Sequence, residues 1–544
     1  MKVSFNIFAP YRGVVQRFFL LVRHFSGLLM GALVSYANNL PPYKKRWFRK
    51  APTRLLAFFL RWFIKKEYRK ASFPYQLRRR LEQLGPTYVK LGQIMSIRED
   101  IFPNSFTEEM QNLLDRVPEV PYEDIERIVE AELGFPLREL FLEFRREPIG
   151  SASIGQTHRA TTSEGRPVVV KVIKPGIRDT ILSDLKLLKW FAVMLEWIIP
   201  RYQPSMIAQE FARYTVRETD LTFEADHAEI FAANFAEVSD VVFPEIFRDL
   251  STANVLTMEY LDGFKPNDAR MLDLPGSELD QIVDTGLGAI IKMLYEDGFF
   301  HADLHPANVI IMPGPQLGFI DLGMVGRFDD NLKRHMLYYF SALVNNDIDS
   351  AVHQLTAMAR IGEGSDPASF RREVADVLRR YRLQVKHGQY SLARLILESL
   401  RIGGRYRIGF PMEMTLMVKS LVTFEGVGQR INPNLDVPGL SRRHVRNILL
   451  RRYHPERLFN QVMAGLPEIL DLAVNLPRIT ADSSKALDEY VNRVPQPNPV
   501  IGLRGSIMGG AFVLGAVIAL VQGASPLVWV PLGGIGVLFY FWGK

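Results

Sequence analysis

The feature that constrains this chain most is a polar loop followed by two predicted β-strands, within residues 299–323. Asp303 and Asn308 lie five positions apart in the loop, and Asp321 comes thirteen positions later, at the end of the second strand. Carboxylate and amide oxygens are ligands for Mg²⁺, which proteins usually hold against phosphate groups. The stretch therefore predicts a phosphate site with magnesium, built at the ends of short strands.

The spacing of these residues is the one found in protein kinases. There an aspartate holds the attacking hydroxyl, an asparagine binds magnesium, and a second aspartate begins an Asp-Phe-Gly segment. Asp321-Leu322-Gly323 takes that last place here. The alternative is a metal-hydrolase site at His301, Asp303 and His305, since imidazole and carboxylate groups bind transition metals. Such a site needs further histidines nearby, and the chain has 10 in all, which favours the kinase-like interpretation.

A loop of small residues, at 148–158, precedes a predicted strand that carries Lys171. Small residues let a backbone approach a ligand, and kinases place their phosphate-binding lysine at a similar distance after such a loop. The alternative is a lysine that only keeps an edge strand soluble. A kinase lysine also needs a glutamate on a helix. Glu218 and Glu224 are both candidates, unless they form a solvated acidic face.

The predicted elements follow the order of a two-lobed kinase: strands, a hinge near 258–261, and then helices. We therefore predict an α+β, two-lobed protein-kinase-like fold with a helical N-terminal extension, a helix-rich C-terminal lobe and a C-terminal transmembrane hairpin. The predicted parts are a basic amphipathic segment at 1–77, a helical extension at 78–147, an N-terminal lobe at 148–262, a helical lobe at 263–495 and two transmembrane helices at 505–543. Helices are predicted at 78–115, 121–145 and 180–236.

Positive charge is concentrated at the N terminus. Residues 1–80 contain 18 Lys or Arg and one acid, Glu67, so they carry +17 in a chain of net charge +7, and the remainder carries −10. Aromatic residues are interspersed with these cations at 44–50 and 59–66, which is typical of helices that lie at a membrane surface. Single-stranded nucleic acid is the alternative partner, because bases stack on aromatic rings. We favour anionic membrane lipid and no nucleic acid.

The C terminus contains 39 consecutive residues without charge, at 505–543. Two apolar spans flank a turn at 523–526, and each is near the lower length limit for crossing a bilayer. Small residues recur every four positions, as in closely packed membrane helices. Arg504 and Lys544 bracket the stretch, so the positive-inside rule places both ends in the cytoplasm. The prediction is a transmembrane hairpin, with a buried core hairpin as the alternative.

Together these motifs resemble those of the UbiB/ABC1 family of atypical protein-kinase-like proteins. The matching residues are Lys90-Leu91-Gly92-Gln93, Ser151-Ala152-Ser153-Ile154-Gly155-Gln156, Val170-Lys171-Val172, Glu218-Thr219-Asp220 with Glu224-Ala225, His301-Ala302-Asp303-Leu304-His305-Pro306 with Asn308, Asp321-Leu322-Gly323, and Glu425-Gly426-Val427-Gly428. The resemblance covers about 80–430, and the hairpin resembles that of the bacterial UbiB type. Gly150 and Ala307 depart from the family pattern, which often has Ala and Gly at these places.

The resemblance implies roles for these residues. Lys171 would hold the ATP phosphates and pair with Glu224, Asp303 would be the acidic residue of the catalytic loop, and Asn308 and Asp321 would bind Mg²⁺. The loop residues implied in nucleotide binding are Gly150, Ser151, Ala152, Ser153 and Ile154. Lys90 and Gln93 would belong to an extension that folds over the nucleotide site, with Lys90 meeting Glu218 or Asp220.

The resemblance also implies a function. The chain would be a membrane-anchored, ATP-dependent kinase or ATPase that supports ubiquinone synthesis at the bacterial inner membrane, with a cytoplasmic catalytic domain. It would act on a hydrophobic quinone precursor or lipid, alongside quinone-biosynthesis enzymes. A nucleotide-gated scaffold with little turnover and a protein Ser/Thr kinase are the alternatives. No Ala-Pro-Glu-like segment follows Asp321, and no arginine adjoins Asp303, which argues against an ordinary protein kinase.

Overall fold

The described part of the structure, a computed structural model, comprises 14–38, 62, 68, 71–98, 102–113, 119–198, 203–314, 316–362, 364–385, 391–432, 437–452, and single residues at 463, 513, 516, 530, 531, 533 and 534. The chain divides into two compact units, Met1–Arg451 and Arg452–Lys544. The predicted basic stretches at 44–50 and 59–66 and the predicted hairpin at 505–543 lie outside the described residues, apart from isolated positions. Among the described residues, no helix has both the length and the apolar character needed to cross a bilayer.

Helices of the N-terminal extension come first. They are α1 Val14–Asn38, α2 Phe73–Leu84, α3 Pro86–Ile97, α4 Asn104–Gln111, α5 Tyr122–Leu133 and the short α6 Leu137–Leu140. Ser72 caps α2, because its hydroxyl accepts a hydrogen bond from the Tyr75 amide, and proline stands in the first turn of both α2 and α3. α1 packs against α2, and α2 and α3 pack against α4. The helices predicted at 78–115 are thus present.

The N-terminal lobe is an antiparallel sheet of β1 Phe141–Ser151, β2 Gly155–Thr162, β3 Pro167–Ile173 and β5 Val255–Glu259, in the order β1-β2-β3-β5. β1 begins at Phe141, so the helix predicted over 121–145 ends at Leu140, and the lobe starts before the predicted boundary at 148. Phe141 is buried and pairs with Thr162 on β2. Pairing with the next strand, β2, therefore overrides the helical pattern of this segment.

Three helices join β3 to β5: α7 Ile177–Ile198, α8 Pro204–Glu218 and α9 Thr222–Asn234. They account for most of the described residues in the region predicted to be helical at 180–236. α1 is fixed to α7 by a buried ion pair, in which Nε of Arg17 lies 2.6 Å from Oδ1 of Asp184. A charge pair this deeply buried is costly to break, because one unpaired charge would remain in the core. The pair therefore attaches the extension to the kinase-like lobe.

The C-terminal lobe positions the polar loop identified in the sequence. Its first elements are α10 Gly276–Ile291 with a π-helical turn Lys292–Asp297, β6 Phe299–His301, a 3₁₀ turn Pro306–Asn308, β7 Val309–Met312, β8 Gln316–Phe319 and β9 Val325–Arg327. β7 and β8 form an antiparallel hairpin, β8 pairs in parallel with β4 Val241–Val242, and β6 pairs with β9. The loop, which precedes β7, and Asp321, which follows β8, therefore lie together at the open end of this hairpin, where Val309 pairs with Phe319.

The remaining elements are α11 Asp330–Val344, α12 Ile348–Ala357, α13 Pro367–Val385, α14 Leu392–Arg405, α15 Met412–Ile431 and α16 Val437–Arg452, with two short paired strands, β10 Arg360–Ile361 and β11 Ile408–Gly409. The second half of the predicted helical lobe is thus helical where the structure describes it, apart from these two short strands. α15 is buried over most of its surface and contacts α3, α10 and β9. This single helix therefore connects the helical lobe with both the extension and the strands near the loop.

Candidate active site

Lys171 lies at the centre of the site. It projects from β3, and its Nζ lies 2.8 Å from Oε2 of Glu224 on α9 and 2.9 Å from Oδ1 of Asp321 after β8. Burial lowers the pKa of Lys171, but the two carboxylates outweigh that effect and raise it well above the usual value. Lys171 is therefore a permanent cation held between two acids that come from different lobes.

Asp321 has a backbone conformation that few residues adopt. Its φ is +55°, in the left-handed region that only Gly, Asn and Asp visit readily. The cation of Lys171 holds the pKa of Asp321 well below its usual range. About half of its side chain is exposed. Asp321 is thus an ionised carboxylate that faces open space, as a metal ligand must.

The loop after β6 is ordered by His301. The ring is buried; its Nδ1 accepts a hydrogen bond from the Asp303 amide at 3.1 Å, so its Nε2 carries the proton and donates to the carbonyl of Ile320. Burial lowers the pKa of His301, which keeps the ring neutral. Both ring nitrogens are occupied by backbone partners. His301 therefore shapes the loop and does not serve as a metal ligand, which argues against the metal-hydrolase alternative.

Asn308 completes the loop from the 3₁₀ turn. Its Nδ2 donates to the carbonyl of Asp303 at 3.0 Å, which leaves its amide oxygen as the candidate ligand. The carbonyl of Asn308 accepts from the amide of Ile320, next to Asp321. Ala307, where the family often has Gly, does not have a positive φ, so alanine introduces no backbone strain there.

Two residues of the helical lobe also contact the loop. Nζ of Lys419, on α15, lies 2.7 Å from Oδ1 of Asp303, and the neighbouring Ser420 donates from its hydroxyl to the carbonyl of His301 at 2.6 Å. The second oxygen of Asp303, Oδ2, lies 4.0 Å from Nε2 of His305. Asp303 is therefore held on one oxygen by a cation from outside the loop.

The extension supplies another ion pair. Lys90 on α3 pairs with Glu218 at the end of α8, one of the two partners that the family resemblance implies. Gly92, two positions after Lys90 on α3, packs against Leu113: a Cβ there would come within 2.2 Å of a methyl group of Leu113, which would have to move. Lys90 can reach the site because the glycine lets α3 pack closely.

These side chains line one cavity of about 550 Å³. Of the predicted residues, the cavity lining includes Lys90, Gln93, Ala152, Ser153, Ile154, Lys171, Glu218, Asp220, Glu224, Asp303, Asn308 and Asp321. Gly150 and Ser151 are not part of the lining. Gly150 pairs with Thr157 in the sheet, and the hydroxyl of Ser151 accepts from Lys174 at 2.9 Å. The small-residue loop thus lines the cavity from Ala152 onwards.

Comparison with known proteins places most of the cavity residues in two family domains, with Lys90 and Gln93 before the first of them. The chain matches the ABC1 atypical kinase-like domain over residues 112–355 and the UbiB helical domain over residues 374–436. The Synechocystis protein sll0095 is 31% identical over 79% of this chain and 78% of its own length. The chain belongs to the ABC1/UbiB family of atypical kinase-like proteins.

Two other relatives carry kinase names. A probable protein kinase UbiB of Xylella fastidiosa is 28% identical over 86% of this chain and 89% of its own length. The chloroplastic ACTIVITY OF BC1 COMPLEX KINASE 7 of Arabidopsis thaliana is 31% identical over 71% of this chain and 56% of its own. A solved structure of Rv3197 with erythromycin, from Mycobacterium tuberculosis, aligns with a TM-score of 0.46 at 22% identity, over 64% of this chain and 90% of that one.

Residues of both family domains line the cavity of this ABC1/UbiB protein. Asp303 lies in the kinase-like domain and Lys419 in the helical domain. The sequence reasoning missed Lys419 and Ser420, although it noted the Glu-Gly motif at 425–428. A usable signal was present: a lysine and a serine interrupt a run from Met412 to Leu421 that is otherwise largely apolar.

The donor set fits Mg-ATP, which members of a kinase-like family use. Asp321 offers an ionised, half-exposed carboxylate, Asn308 offers an amide oxygen, and these are hard oxygen ligands suited to Mg²⁺. Lys171 offers a fixed cation for phosphate oxygens. Among the described residues no group of three or more His, Asp or Glu side chains is arranged to hold a metal ion.

Proposed function

We propose that this chain is a Mg-ATP-dependent atypical kinase or ATPase in ubiquinone synthesis, working at the bacterial inner membrane with its catalytic unit on the cytoplasmic side. The observation that carries the proposal is the position of Lys171 between Glu224 and Asp321, on the cavity that Asp303 and Asn308 also line. A protein that only bound partners would not need a phosphate-binding cation, two metal ligands and a separate acid at one site.

The chemistry follows from the side chains. Asn308 and Asp321 would hold Mg²⁺ and Lys171 the phosphates, and bound Mg-ATP supplies a transferable phosphoryl group. Lys419 occupies Oδ1 of Asp303, so Oδ2 is the oxygen that can accept a proton from the attacking hydroxyl. The attacking hydroxyl belongs to water in an ATPase and to the acceptor in a kinase.

The acceptor that we propose is a small or lipid-soluble molecule, such as a hydrophobic quinone precursor. α3 of the extension forms part of the cavity wall through Lys90, Gln93 and Ile94. The cavity volume falls in the range of small-ligand sites, which is about 300–1,000 Å³. The Xylella relatives are named protein kinases, but a wall made by the protein's own helix favours a small acceptor over a peptide.

The test is ATP turnover by the full chain reconstituted in vesicles, with and without a phenolic quinone-precursor mimic. We expect Mg-dependent turnover that rises with the mimic. Asp303→Asn should lower turnover by about 10²-fold or more, as for loss of a general base, while binding of Mg-ATP persists. Asp349→Asn, an exposed acid on α12 outside the cavity, is the matched control and should keep full turnover.

A nucleotide-gated scaffold is the second candidate, favoured by the ion pair of Lys90 with Glu218. That pair ties α3 to the end of α8, so nucleotide binding beside it can change how the extension is held. A scaffold of quinone-biosynthesis enzymes would bind Mg-ATP with the same affinity in the wild type and Asp303→Asn, with negligible turnover in both. A protein kinase would instead transfer phosphate to a peptide and ignore the mimic.

A further inference from the structure

α1 and α7 share an outer surface that is apolar and positively charged. α7 exposes a stripe of residues three or four positions apart, which lie on one side of a helix. The stripe is Lys186, Lys189, Trp190, Val193, Met194 and Trp197, and α1 adds Phe19 and Arg23 beside it. We call these eight residues the α1–α7 surface. Trp197 is 90% exposed and Phe19 is 66% exposed, although such large apolar groups are usually covered.

The surface is continuous across the two helices because an aromatic layer supports it. The ring of Phe18 lies 6.0 Å from Trp190 and 5.7 Å from Phe19, between centroids. Phe25 stacks on Phe191 at 4.7 Å below them. The buried pair of Arg17 and Asp184 fixes the same two helices together. The exposed rings are therefore held on a rigid support and are not loose side chains.

The charge on this surface has one sign. Arg23, Lys186 and Lys189 are exposed cations. α1 contains no acid. Between 182 and 197, α7 has two acids: Asp184 is buried, and Glu196 is half-buried and accepts a hydrogen bond from the Ser205 amide. An acidic partner is thus the complementary one. Protein interfaces are usually depleted of lysine at their centre, whereas tryptophan rings with flanking lysines are typical of groups at lipid headgroup depth.

We propose that the α1–α7 surface binds the face of a bilayer that contains anionic phospholipid. Trp190, Val193 and Trp197 would enter the headgroup region, with Lys186 and Lys189 at the phosphates. This inference rests on the membrane location in the proposed function and deepens it, by assigning the contact to folded helices of the catalytic unit. Neither helix lines the nucleotide cavity, so lipid contact and catalysis can be measured separately.

The experiment uses the full chain, which contains no cysteine, so one introduced cysteine can carry an environment-sensitive fluorophore. Val193→Cys reports on the surface. Leu142→Cys on β1, 69% exposed and outside the surface, is the matched control. Both labelled proteins are reconstituted in phosphatidylcholine vesicles with or without phosphatidylglycerol, and a lipid-borne quencher is added. We expect a blue shift and several-fold stronger quenching at 193 than at 142, only with phosphatidylglycerol, and reversed by high salt.

A charge reversal tests the lysines. Lys186→Glu with Lys189→Glu, in the Val193→Cys protein, should remove the shift and the quenching in anionic vesicles while ATP turnover stays unchanged. The proposal is overturned by equal signals at 193 and 142, by a signal that ignores lipid charge or the reversal, or by a signal produced only by a single-stranded oligonucleotide. A probe at 193 that is already shielded without vesicles would also overturn it, because protein would then cover the surface. Absence of ATP turnover in the chain without substitutions would instead refute the proposed function.

Discussion

At the scale of single residues, Asp303 has an asymmetric environment. One carboxylate oxygen is 2.7 Å from the ammonium of Lys419, and the other is 4.0 Å from His305. A fixed cation that contacts one oxygen orients the carboxylate. In the proposed reaction Lys419 would therefore position the candidate base and add positive charge beside the reacting phosphoryl group.

Replacing Lys419 tests this role. Lys419→Met should lower ATP turnover by about 10²-fold, the usual cost of removing one electrostatic contact at a reacting centre, while Mg-ATP still raises the melting temperature. Lys419→Arg should retain more activity than Lys419→Met, because the charge is kept. The control is Lys333→Met, which removes a lysine paired with Asp330 away from the cavity. Turnover of the Lys419→Met protein equal to that of the control would show that the contact has no catalytic role.

At the scale of elements, the strands β3, β7 and β8 and a 3₁₀ turn place Lys171 and the candidate metal ligands. These elements could be predicted from the sequence. The pattern of β3 and of the β7–β8 hairpin is local, so spacing alone located Lys171, Asn308 and Asp321. What spacing could not show depends on tertiary contact. The start of β1 at Phe141 is decided by pairing with β2, and the approach of α15 to the loop is decided by packing against β9 and α3.

The choice between Glu218 and Glu224 illustrates the same limit. Both acids suited Lys171 when only the sequence was considered. In the structure Glu224 pairs with Lys171 and Glu218 pairs with Lys90. The two acids have different partners because Glu218 lies on α8 and Glu224 lies on α9. A turn at Thr219–Leu221 separates those helices, and no periodicity in the sequence marked it.

The contact between α3 and α8 can be measured through its ion pair. Lys90 and Glu218 are mostly buried, at 20% and 13% exposure of their side chains. A double-mutant cycle with Lys90→Met and Glu218→Gln should give a coupling free energy of at least about 1 kcal/mol in denaturant unfolding. The exposed pair of Arg127 with Asp124 on α5 is the control and should give about 0.5 kcal/mol or less. Equal coupling in both pairs would contradict the assigned role of Lys90 in holding the extension.

At the scale of the whole molecule, the buried His158 and His301 and the half-buried His227 make stability depend on pH. Burial lowers the pKa values of His158, His227 and His301, and each ring has a backbone carbonyl as a partner. Their unfolded pKa is about 6.5, so the unfolded chain binds more protons just below that pH. The free energy of unfolding should therefore fall as pH decreases through this window. Burial raises the pKa of Glu224 and Glu425, and at lower pH this has the opposite effect on the free energy of unfolding.

The contribution of one histidine can be isolated. His227 donates from Nδ1 to the carbonyl of Leu322, next to Asp321, and asparagine can replace that donor without a titrating ring. Chemical denaturation between pH 7.5 and 5.5 should show a smaller loss of stability with falling pH in His227→Asn than in the wild type. The difference in slope can reach about 1.4 kcal/mol per pH unit, the value for one proton. Identical slopes would mean that the folded chain does not keep this ring neutral.

The most direct test of the account is whether the cavity binds nucleotide through Asp321 and magnesium. The measurement is the melting temperature of the full chain with ATP, in the presence and absence of Mg²⁺, for the wild type, Asp321→Asn and the control Asp349→Asn. Ligand that binds only the folded state stabilises it by an amount that grows with the ratio of ligand concentration to Kd. We predict that Mg²⁺ increases the ATP-induced shift in the wild type and in Asp349→Asn, and that Asp321→Asn loses this magnesium-dependent part. A full magnesium-dependent shift in Asp321→Asn would contradict the assignment of the site.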